Sequence, residues 1–288
     1  MTDLTLDNRG LRLAVSVRGP DDAPPILFLH GVSMSRDTWL EVVERLVPRW
    51  RCWTLDFRGH GHSDRADAYT LDGYRSDAQA VLAAIGRPAR VVGHSLGAVI
   101  AGQLAQAPHP MVRAVFLEDP PWYLGEPAEW ARSAFPAVFG VVAQKQAHWQ
   151  AEGAPLATWL AFSTHAPSPM GGIAADHFPP RHLLSHASAL QRQDNRVWTN
   201  VAGGASALAA IRTDAPFQVP ATVVAADPAL GAALLDGHPE RLQAANPAAT
   251  IVKYPGSGHN PRRSTAFAQR YLQDLERFLA DTDDAAVR

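Results

Sequence analysis

Five residues, Gly93-His94-Ser95-Leu96-Gly97, place the strongest constraint on how this chain can fold, because they stand between a predicted strand and a predicted helix. Residues 90–92 predict a short strand, and residues 98–107 predict a helix that ends before a proline. A serine on so tight a turn takes unfavourable backbone angles, and it needs small neighbours, which the two glycines provide. The N-terminus of the following helix directs N–H groups toward a developing oxyanion. The pattern therefore indicates that Ser95 is a nucleophile, although an ordinary glycine-rich turn would use the same residue types.

Predicted strands and helices alternate along most of the chain, which indicates an α/β fold with a mostly parallel, twisted sheet and helices on both faces. Strands are predicted at 12–18, 26–29, 53–57, 90–92, 112–117, 222–225 and 250–254. Helices are predicted at 71–85, 98–107, 234–245 and 267–279. From residue 120 to about residue 204 the apolar residues follow helical spacing and no strand is evident. We therefore expect a core of residues 1–119 and 205–288, and an inserted helical lid of residues 120–204.

Three further segments, together with the serine turn, give the chain its resemblance to the α/β-hydrolase superfamily, and in particular to serine esterases and lactonases with a lid. They are Phe28-Leu29-His30-Gly31-Val32, Asp56-Phe57-Arg58-Gly59-His60-Gly61-His62-Ser63 and Tyr254-Pro255-Gly256-Ser257-Gly258-His259-Asn260. The resemblance covers nearly all of the chain outside the predicted lid. It implies the α/β-hydrolase fold, a general base at His259, and an oxyanion hole formed by the backbone N–H groups of Val32 and Leu96. A histidine suits this base because its imidazole exchanges a proton near neutral pH.

Two carboxylates compete for the role of the acid that orients His259. Asp227 follows the strand predicted at 222–225, where most members of the superfamily place their acid. Those members usually carry the acid a few residues beyond the strand, however, and in this chain that position falls near Ala229, which has no carboxylate. Asp119 ends the preceding strand, from which a minority of the superfamily takes its acid. The two prolines after Asp119 stiffen the chain where it leaves the strand. We prefer Asp119 and keep Asp227 as the alternative.

Aromatic residues are concentrated in the predicted lid, which holds five of the eight tryptophans, namely Trp122, Trp130, Trp149, Trp159 and Trp198. Such density predicts an apolar pocket for an aromatic or lipophilic substrate. We expect Trp122, Trp198 and His30 to line this pocket. The alternative is that the aromatic residues only pack the lid onto the core.

Composition limits the partners that the chain can have. Its 288 residues carry a formal net charge of −2, which gives no overall field to attract nucleic acid or an anionic membrane. No apolar stretch is long enough to cross a bilayer, the N-terminus lacks a signal-peptide pattern, and Cys52 is the single cysteine. We expect a cytoplasmic protein that is a monomer or a homodimer and acts on a small molecule. We expect no metal, cofactor, nucleic-acid partner or membrane partner.

The residues singled out above favour hydrolysis of a carboxylic ester or lactone through an acyl-enzyme. A carbon–carbon bond hydrolase or a cofactor-free lyase would use the same residues, so these remain alternatives. A ligand receptor on this fold is the alternative that is not an enzyme. The sequence does not define the substrate.

Overall fold

The computed structural model describes residues 2–201 and 204–283 of the chain. These residues form one sheet of eight strands, which are β1 (Thr2–Asn8), β2 (Leu11–Arg18), β3 (Pro25–Leu29), β4 (Arg51–Leu55), β5 (Ala89–His94), β6 (Val112–Glu118), β7 (Ala221–Ala225) and β8 (Thr250–Lys253). The strand order is β1-β2-β4-β3-β5-β6-β7-β8. β2 pairs antiparallel with β1 and β4, whereas β3 to β8 run parallel to one another. The carboxyl ends of β3 to β8 therefore meet at one edge of the sheet, where ligands bind in open α/β folds.

Helices follow most of the parallel strands and also fill the long connection between β6 and β7. They are α1 (Leu40–Leu46), α2 (Leu71–Ile85), α3 (Leu96–Ala105), α4 (Pro127–Arg132), α5 (Phe135–Ala151), α6 (Leu156–His165), α7 (Pro180–Arg192), α8 (Arg196–Val201), α9 (Ala205–Leu208), α10 (His238–Ala245) and α11 (Ala268–Asp281). No helix among the described residues has both the length and the apolar character needed to cross a bilayer.

Both faces of the sheet are buried, as the short apolar strands predict. All five residues of β3 are buried, and the last four alternate between two hydrophobic clusters. Leu27 and Leu29 belong to the cluster that contains α2 and α3, whereas Ile26 and Phe28 belong to the cluster that contains α1 and α11. A strand that lies between two layers of helices needs apolar residues at every position, which is why this run shows no polar alternation.

Two elements differ from the sequence-based expectation. β1 was not predicted, yet it pairs with β2 along its whole length through a turn in which Arg9 and Gly10 both have positive φ, at 58° and 86°. The helix predicted at 234–245 begins only at His238, because Gly237 before it has left-handed backbone angles. The alternation of apolar and polar residues in β1 is a strand signal that the prediction did not use.

The connection between β6 and β7, which we call the insertion, comprises residues 120–220 and contains α4 to α9. It has its own small hydrophobic cluster, formed by Trp159, Ala187, Leu190 and Trp198. The division into a core and a lid at residues 119 and 205 stays a prediction. Residues 1, 202–203 and 284–288 of the predicted ranges lie outside the described residues.

The glycines of the serine turn are required by close backbone contacts. A Cβ atom on Gly97 would lie 2.1 Å from the carbonyl oxygen of Leu29, and one on Gly93 would lie 2.2 Å from the carbonyl oxygen of Gly97. The first turn of α3 thus packs directly on the end of β3, with no space for a side chain. This contact fixes where α3 begins relative to the sheet.

We predict that Gly97→Ala lowers the free energy of unfolding by about 1–3 kcal/mol, because the new methyl group must displace backbone atoms. Gly140→Ala is the matched control, since Gly140 lies in α5 with open space around its Cα. The control should raise the free energy of unfolding by roughly 0.5–1 kcal/mol, because alanine is the better helix former. Urea unfolding measures the change in the free energy of unfolding for both variants. Equal effects of the two substitutions would contradict the tight packing at Gly97.

Candidate active site

Ser95 occupies a strained turn between the last residue of β5 and the first residue of α3. Its backbone angles are φ 52° and ψ −115°, a combination that costs energy in any residue with a side chain. The turn is held by the neighbouring strand, since Ser95 N donates a hydrogen bond of 2.9 Å to the carbonyl oxygen of Glu118. Strain of this kind persists only where the surrounding structure enforces it, and it is typical of catalytic positions.

His259 and Asp119 are joined by a hydrogen bond in which His259 Nδ1 donates to Asp119 Oδ2 over 2.6 Å. The Asp119 carboxylate is fully buried and also accepts backbone N–H groups from Ala233 at 2.7 Å and from Leu234 at 3.2 Å. These donors hold the carboxylate in one orientation. With Nδ1 protonated, a neutral His259 ring presents Nε2 as its proton acceptor.

Asp227 lies in a different arrangement from Asp119. Its Oδ1 accepts the N–H of Ala229 at 3.0 Å, and its Oδ2 accepts the N–H of Gly256 at 2.8 Å. The side chain therefore caps one loop and ties it to the loop after β8. Of the two carboxylates considered from the sequence, the structure brings Asp119, and not Asp227, to His259.

Two backbone N–H groups lie beside Ser95 with no acceptor among the described residues, namely those of Val32 and Leu96. Leu96 is the first residue of α3, whose N-terminal N–H groups have no partner within the helix. Val32 follows Gly31, where an added Cβ would lie 3.1 Å from Ser95 Cβ. Two backbone donors that lie close together without acceptors are suited to bind an oxyanion.

The loop that carries His259 is anchored by a buried ion pair. Arg262 donates from its backbone N to Glu118 Oε1 over 3.1 Å and from its guanidinium to Glu118 Oε2 over 2.5 Å. The guanidinium also lies 4.0 Å from the ring centroid of Trp39. Burial raises the pKa of Glu118, and the adjacent Arg262 opposes that shift. Removing one partner of such a pair costs about 3–5 kcal/mol, because the other charge is left buried and unpaired.

His94 also supports the loop that carries His259. Its Nε2 donates to the carbonyl oxygen of His259 over 3.1 Å, and the centroids of the two rings are 4.7 Å apart. Burial lowers the pKa of His94 well below its ordinary value, and nearby Arg262 and His259 lower it further. His94 therefore stays neutral and acts as a fixed hydrogen-bond donor that places the His259 backbone.

A model of the alpha/beta hydrolase family matches residues 26–270, a range that contains Ser95, Asp119 and His259. The chain belongs to the α/β-hydrolase family.

Similarity to curated α/β-hydrolases extends over only part of their length. The chain is 36% identical over 119 residues to pimeloyl-[acyl-carrier protein] methyl ester esterase of Methylococcus capsulatus, a match that covers 41% of this chain and 44% of that protein. It is 32% identical over 96 residues to 3-oxoadipate enol-lactonase 1 of Acinetobacter baylyi, which covers 33% of this chain and 36% of that protein. The chain thus matches less than half the length of these relatives.

Solved α/β-hydrolase structures share the fold over almost the whole chain. The enol-lactonase from Burkholderia xenovorans has a TM-score of 0.72 at 18% identity, with 96% of this chain and 100% of that chain covered. A thermophilic esterase from Thermogutta terrifontis has a TM-score of 0.70 at 18% identity, with 98% and 99% covered. At such identities the likeness concerns the fold alone.

Beside Ser95 this α/β-hydrolase has a small, mostly apolar cavity. It is lined by Val32, Tyr69, Leu71, Tyr74, Ser95, Leu96, Pro121, Leu124, Trp130, Phe135, Phe139, Ala207 and Leu208. The core supplies one side of the cavity and the insertion supplies the other. Phe135, at the start of α5, also packs edge-on against the ring of His259, with centroids 5.2 Å apart.

The residues expected from the sequence to line the pocket do not line it, so that prediction was wrong. Trp122 packs against Gly102, where an added Cβ would lie 2.4 Å from the indole, and Trp198 is buried behind Phe139 with its indole N–H bonded to Gln146. His30 is fully buried, and its Nε2 accepts the N–H of Phe57 over 3.1 Å. Each of the three fills the interior rather than the cavity. The sequence shows how many aromatic residues the insertion holds, but not which of their faces meet open space.

Among the described residues, no group of three or more histidine, cysteine, aspartate and glutamate residues is placed to hold a metal ion. His60, which lies in the turn after β4, is buried, and its Nδ1 donates to the carbonyl oxygen of Arg58 over 3.0 Å. Burial lowers the pKa of His60 to about 4.

This depressed pKa predicts that the protein loses stability as the pH falls from 6.5 toward 4. Between these pH values the His60 side chain binds a proton in the unfolded chain but not in the native protein. Its contribution therefore lowers the free energy of unfolding by up to about 1.4 kcal/mol for each pH unit. His60→Gln should therefore show a shallower decline than the native sequence. Urea unfolding at a series of pH values measures the slopes, with exposed His148→Gln as the control. Parallel curves for native protein and His60→Gln would show that His60 titrates normally.

Proposed function

We propose that this protein is a serine hydrolase that cleaves a carboxylic ester or lactone of an apolar small molecule through an acyl-enzyme on Ser95. The observation that carries the proposal is the hydrogen bond of 2.6 Å between His259 Nδ1 and the buried carboxylate of Asp119, at the sheet edge where Ser95 forms a strained turn. Nucleophile, base and orienting acid are the groups that this chemistry requires. Two of the similar proteins are an esterase and an enol-lactonase, which supports the same reaction class.

In the first half of the proposed reaction, Ser95 Oγ attacks the carbonyl carbon while His259 Nε2 takes the hydroxyl proton. The negative charge that develops on the carbonyl oxygen is bound by the N–H groups of Val32 and Leu96. When the tetrahedral intermediate collapses, the bond from the carbonyl carbon to the alkoxy oxygen breaks, and His259 gives its proton to that oxygen. In a lactone the freed hydroxyl stays attached to the acyl group.

In the second half, a water molecule gives a proton to His259 and attacks the acyl carbon, so that Ser95 is released with its own proton restored. The Asp119 carboxylate stabilises the imidazolium that forms twice in each cycle. Every proton moves between Ser95, His259, water and the leaving oxygen. The chemistry therefore needs no metal and no cofactor.

The alternatives are separable by experiment. A carbon–carbon bond hydrolase acting through the same residues would cleave a diketone faster than an ester of matched shape. A ligand receptor would release no product from an activated ester. A burst of one equivalent of nitrophenol from a 4-nitrophenyl ester, followed by slower turnover, would support the acyl-enzyme.

Ser95→Ala should lower kcat/KM for a 4-nitrophenyl ester by roughly 10⁴-fold or more, because only the oxyanion donors and substrate binding remain. The change removes one oxygen atom, so the urea midpoint should move little. Initial rates and unfolding curves check both expectations. A variant that retains a tenth of the native activity would rule out Ser95 as the nucleophile.

Asp119→Asn and Asp227→Asn form a matched pair, since each removes one carboxylate charge next to the same sheet edge. We expect Asp119→Asn to lower kcat by about 10⁴-fold, because an amide no longer fixes the His259 ring in the required tautomer. Asp227→Asn should change kcat only a few-fold, since its carboxylate contacts only loop N–H groups. Steady-state rates of the two purified variants compare them. A larger loss in Asp227→Asn would reverse the assignment of the acid.

A further inference from the structure

Ser33 has an unfavourable backbone angle next to the proposed oxyanion donor Val32. Among the described residues, those that have a positive φ without being glycine are Arg9, Ser33, Ser95 and Asp119. Arg9 lies in the turn between β1 and β2, and Ser95 and Asp119 belong to the proposed catalytic group. Neither a hairpin nor a catalytic side chain accounts for the φ of 63° at Ser33. Strain of this kind persists only where neighbouring atoms enforce it.

Val32 and Ser33 are the two central residues of one four-residue turn. The turn is closed by Met34 N, which donates to the carbonyl oxygen of Gly31 over 3.2 Å. A positive φ at the third residue is typical of a type II turn, where glycine is preferred, whereas a type I turn has a negative φ there and accepts serine. Conversion between the two forms turns over the peptide group that joins Val32 and Ser33. Serine therefore needs an added interaction to stay in the observed form.

That interaction comes from Gln193, which lies in the insertion directly after α7. The Gln193 side chain is fully buried, and its Oε1 accepts the N–H of Ser33 over 2.8 Å. If the peptide group turned over, this N–H would point away from Gln193 and the bond would break. The hydrogen bond thus selects the strained form of the turn.

The backbone of Gln193 is itself held in place. Its carbonyl oxygen accepts Nε2 of Gln146 over 3.2 Å and Nε2 of Gln150 over 2.7 Å, both from α5. The next residue, Asp194, donates its backbone N–H to the carbonyl oxygen of Gly59 over 2.8 Å. Asp194 therefore docks this part of the insertion on the core, and the side chain of Gln193 acts separately on the turn that contains Ser33.

The two ends of the turn are fixed, so a change at its centre falls on Val32. A Cβ atom on Gly31 would lie 3.1 Å from Ser95 Cβ, which shows how closely the first residue packs on the nucleophile. Met34, at the other end, is buried. A change of the backbone at Ser33 is therefore absorbed by the backbone of Val32, whose N–H is the proposed oxyanion donor.

Resting on the proposed function, we propose that Gln193 is a positioning residue for the oxyanion hole. It acts through Ser33, whose fixed N–H keeps the Val32 donor directed at the carbonyl oxygen of the substrate. Since Gln193 belongs to the insertion, the oxyanion hole is complete only while the insertion is docked on the core. The effect falls on the transition state, where the oxyanion develops, and not on substrate binding.

Gln193→Met removes the acceptor and keeps a side chain of similar length. We expect kcat for a 4-nitrophenyl ester to fall by about 10- to 100-fold with little change in KM, since loss of a whole oxyanion donor costs about 10²–10³-fold. Gln191→Met is the matched control, because Gln191 Nε2 donates to the carbonyl oxygen of Ala154 inside the insertion. Steady-state rates compare the two variants after urea unfolding has shown that both are folded. Equal losses of kcat would overturn the proposal.

Substitutions at Ser33 test the strained angle itself. Glycine adopts a positive φ without strain, whereas alanine does not. The loss of kcat caused by Gln193→Met should therefore become about tenfold smaller when Ser33→Gly is also present, and it should persist when Ser33→Ala is present. Equal losses in the two backgrounds would mean that Gln193 only stabilises the insertion, which would overturn the positioning role.

Hydrogen exchange of the native protein, followed by NMR, needs no variant. The Ser33 amide should be protected, whereas exchange at the rate of an unstructured peptide would overturn the proposal. Failure of this proposal differs from failure of the proposed function. An active native protein with unchanged kcat in Gln193→Met would overturn the role of Gln193 alone, whereas a native protein that hydrolyses no ester would overturn the proposed function and the role of Gln193 with it.

Discussion

Two consecutive residues at the end of β6 hold the whole candidate active site together. The carbonyl oxygen of Glu118 accepts the N–H of Ser95, and its carboxylate binds Arg262, three residues beyond His259. Asp119 then turns away from the strand with a positive φ of 43° and bonds His259 directly. Strand alternation sends these two side chains in different directions, which lets neighbouring carboxylates serve different partners. The turn that carries Ser95 and the loop that carries His259 are therefore both positioned by the end of β6.

The insertion begins immediately after Asp119, so its placement is tied to the same point. Phe135 covers one side of the His259 ring, and Gln193 Oε1 accepts the N–H of Ser33, the residue after Val32, over 2.8 Å. These contacts cover one side of the His259 ring and fix the loop that carries a proposed oxyanion donor. Low polarity around the site strengthens the hydrogen bonds that the reaction needs. The insertion thus completes the cavity and contacts the residues proposed to act on the substrate.

Local patterns predicted the fold well because they record backbone requirements. Glycine is required on both sides of Ser95 because a Cβ atom there would lie closer than 2.5 Å to backbone atoms. The residues of β3 are apolar because the strand is buried on both faces. Both requirements can be recognised in the sequence. The pocket was not predictable in this way. Trp122 and Trp198 are buried in the interior, which the number of aromatic residues in the sequence does not reveal. The sequence could only rank Asp119 and Asp227 as candidates for the acid, because the contact between Asp119 and His259 joins residues that are 140 positions apart.

Reaction of the protein with a fluorophosphonate, followed by mass spectrometry of the intact chain and its peptides, tests the central claim most directly. The reagent phosphonylates only a serine that is activated by a base and flanked by oxyanion donors. The arrangement of Ser95, His259 and Asp119 predicts a single adduct on the peptide that contains Ser95, absent after prior unfolding in urea and absent in the Ser95→Ala protein. No adduct on the folded native chain, or an adduct on a different residue, would contradict it.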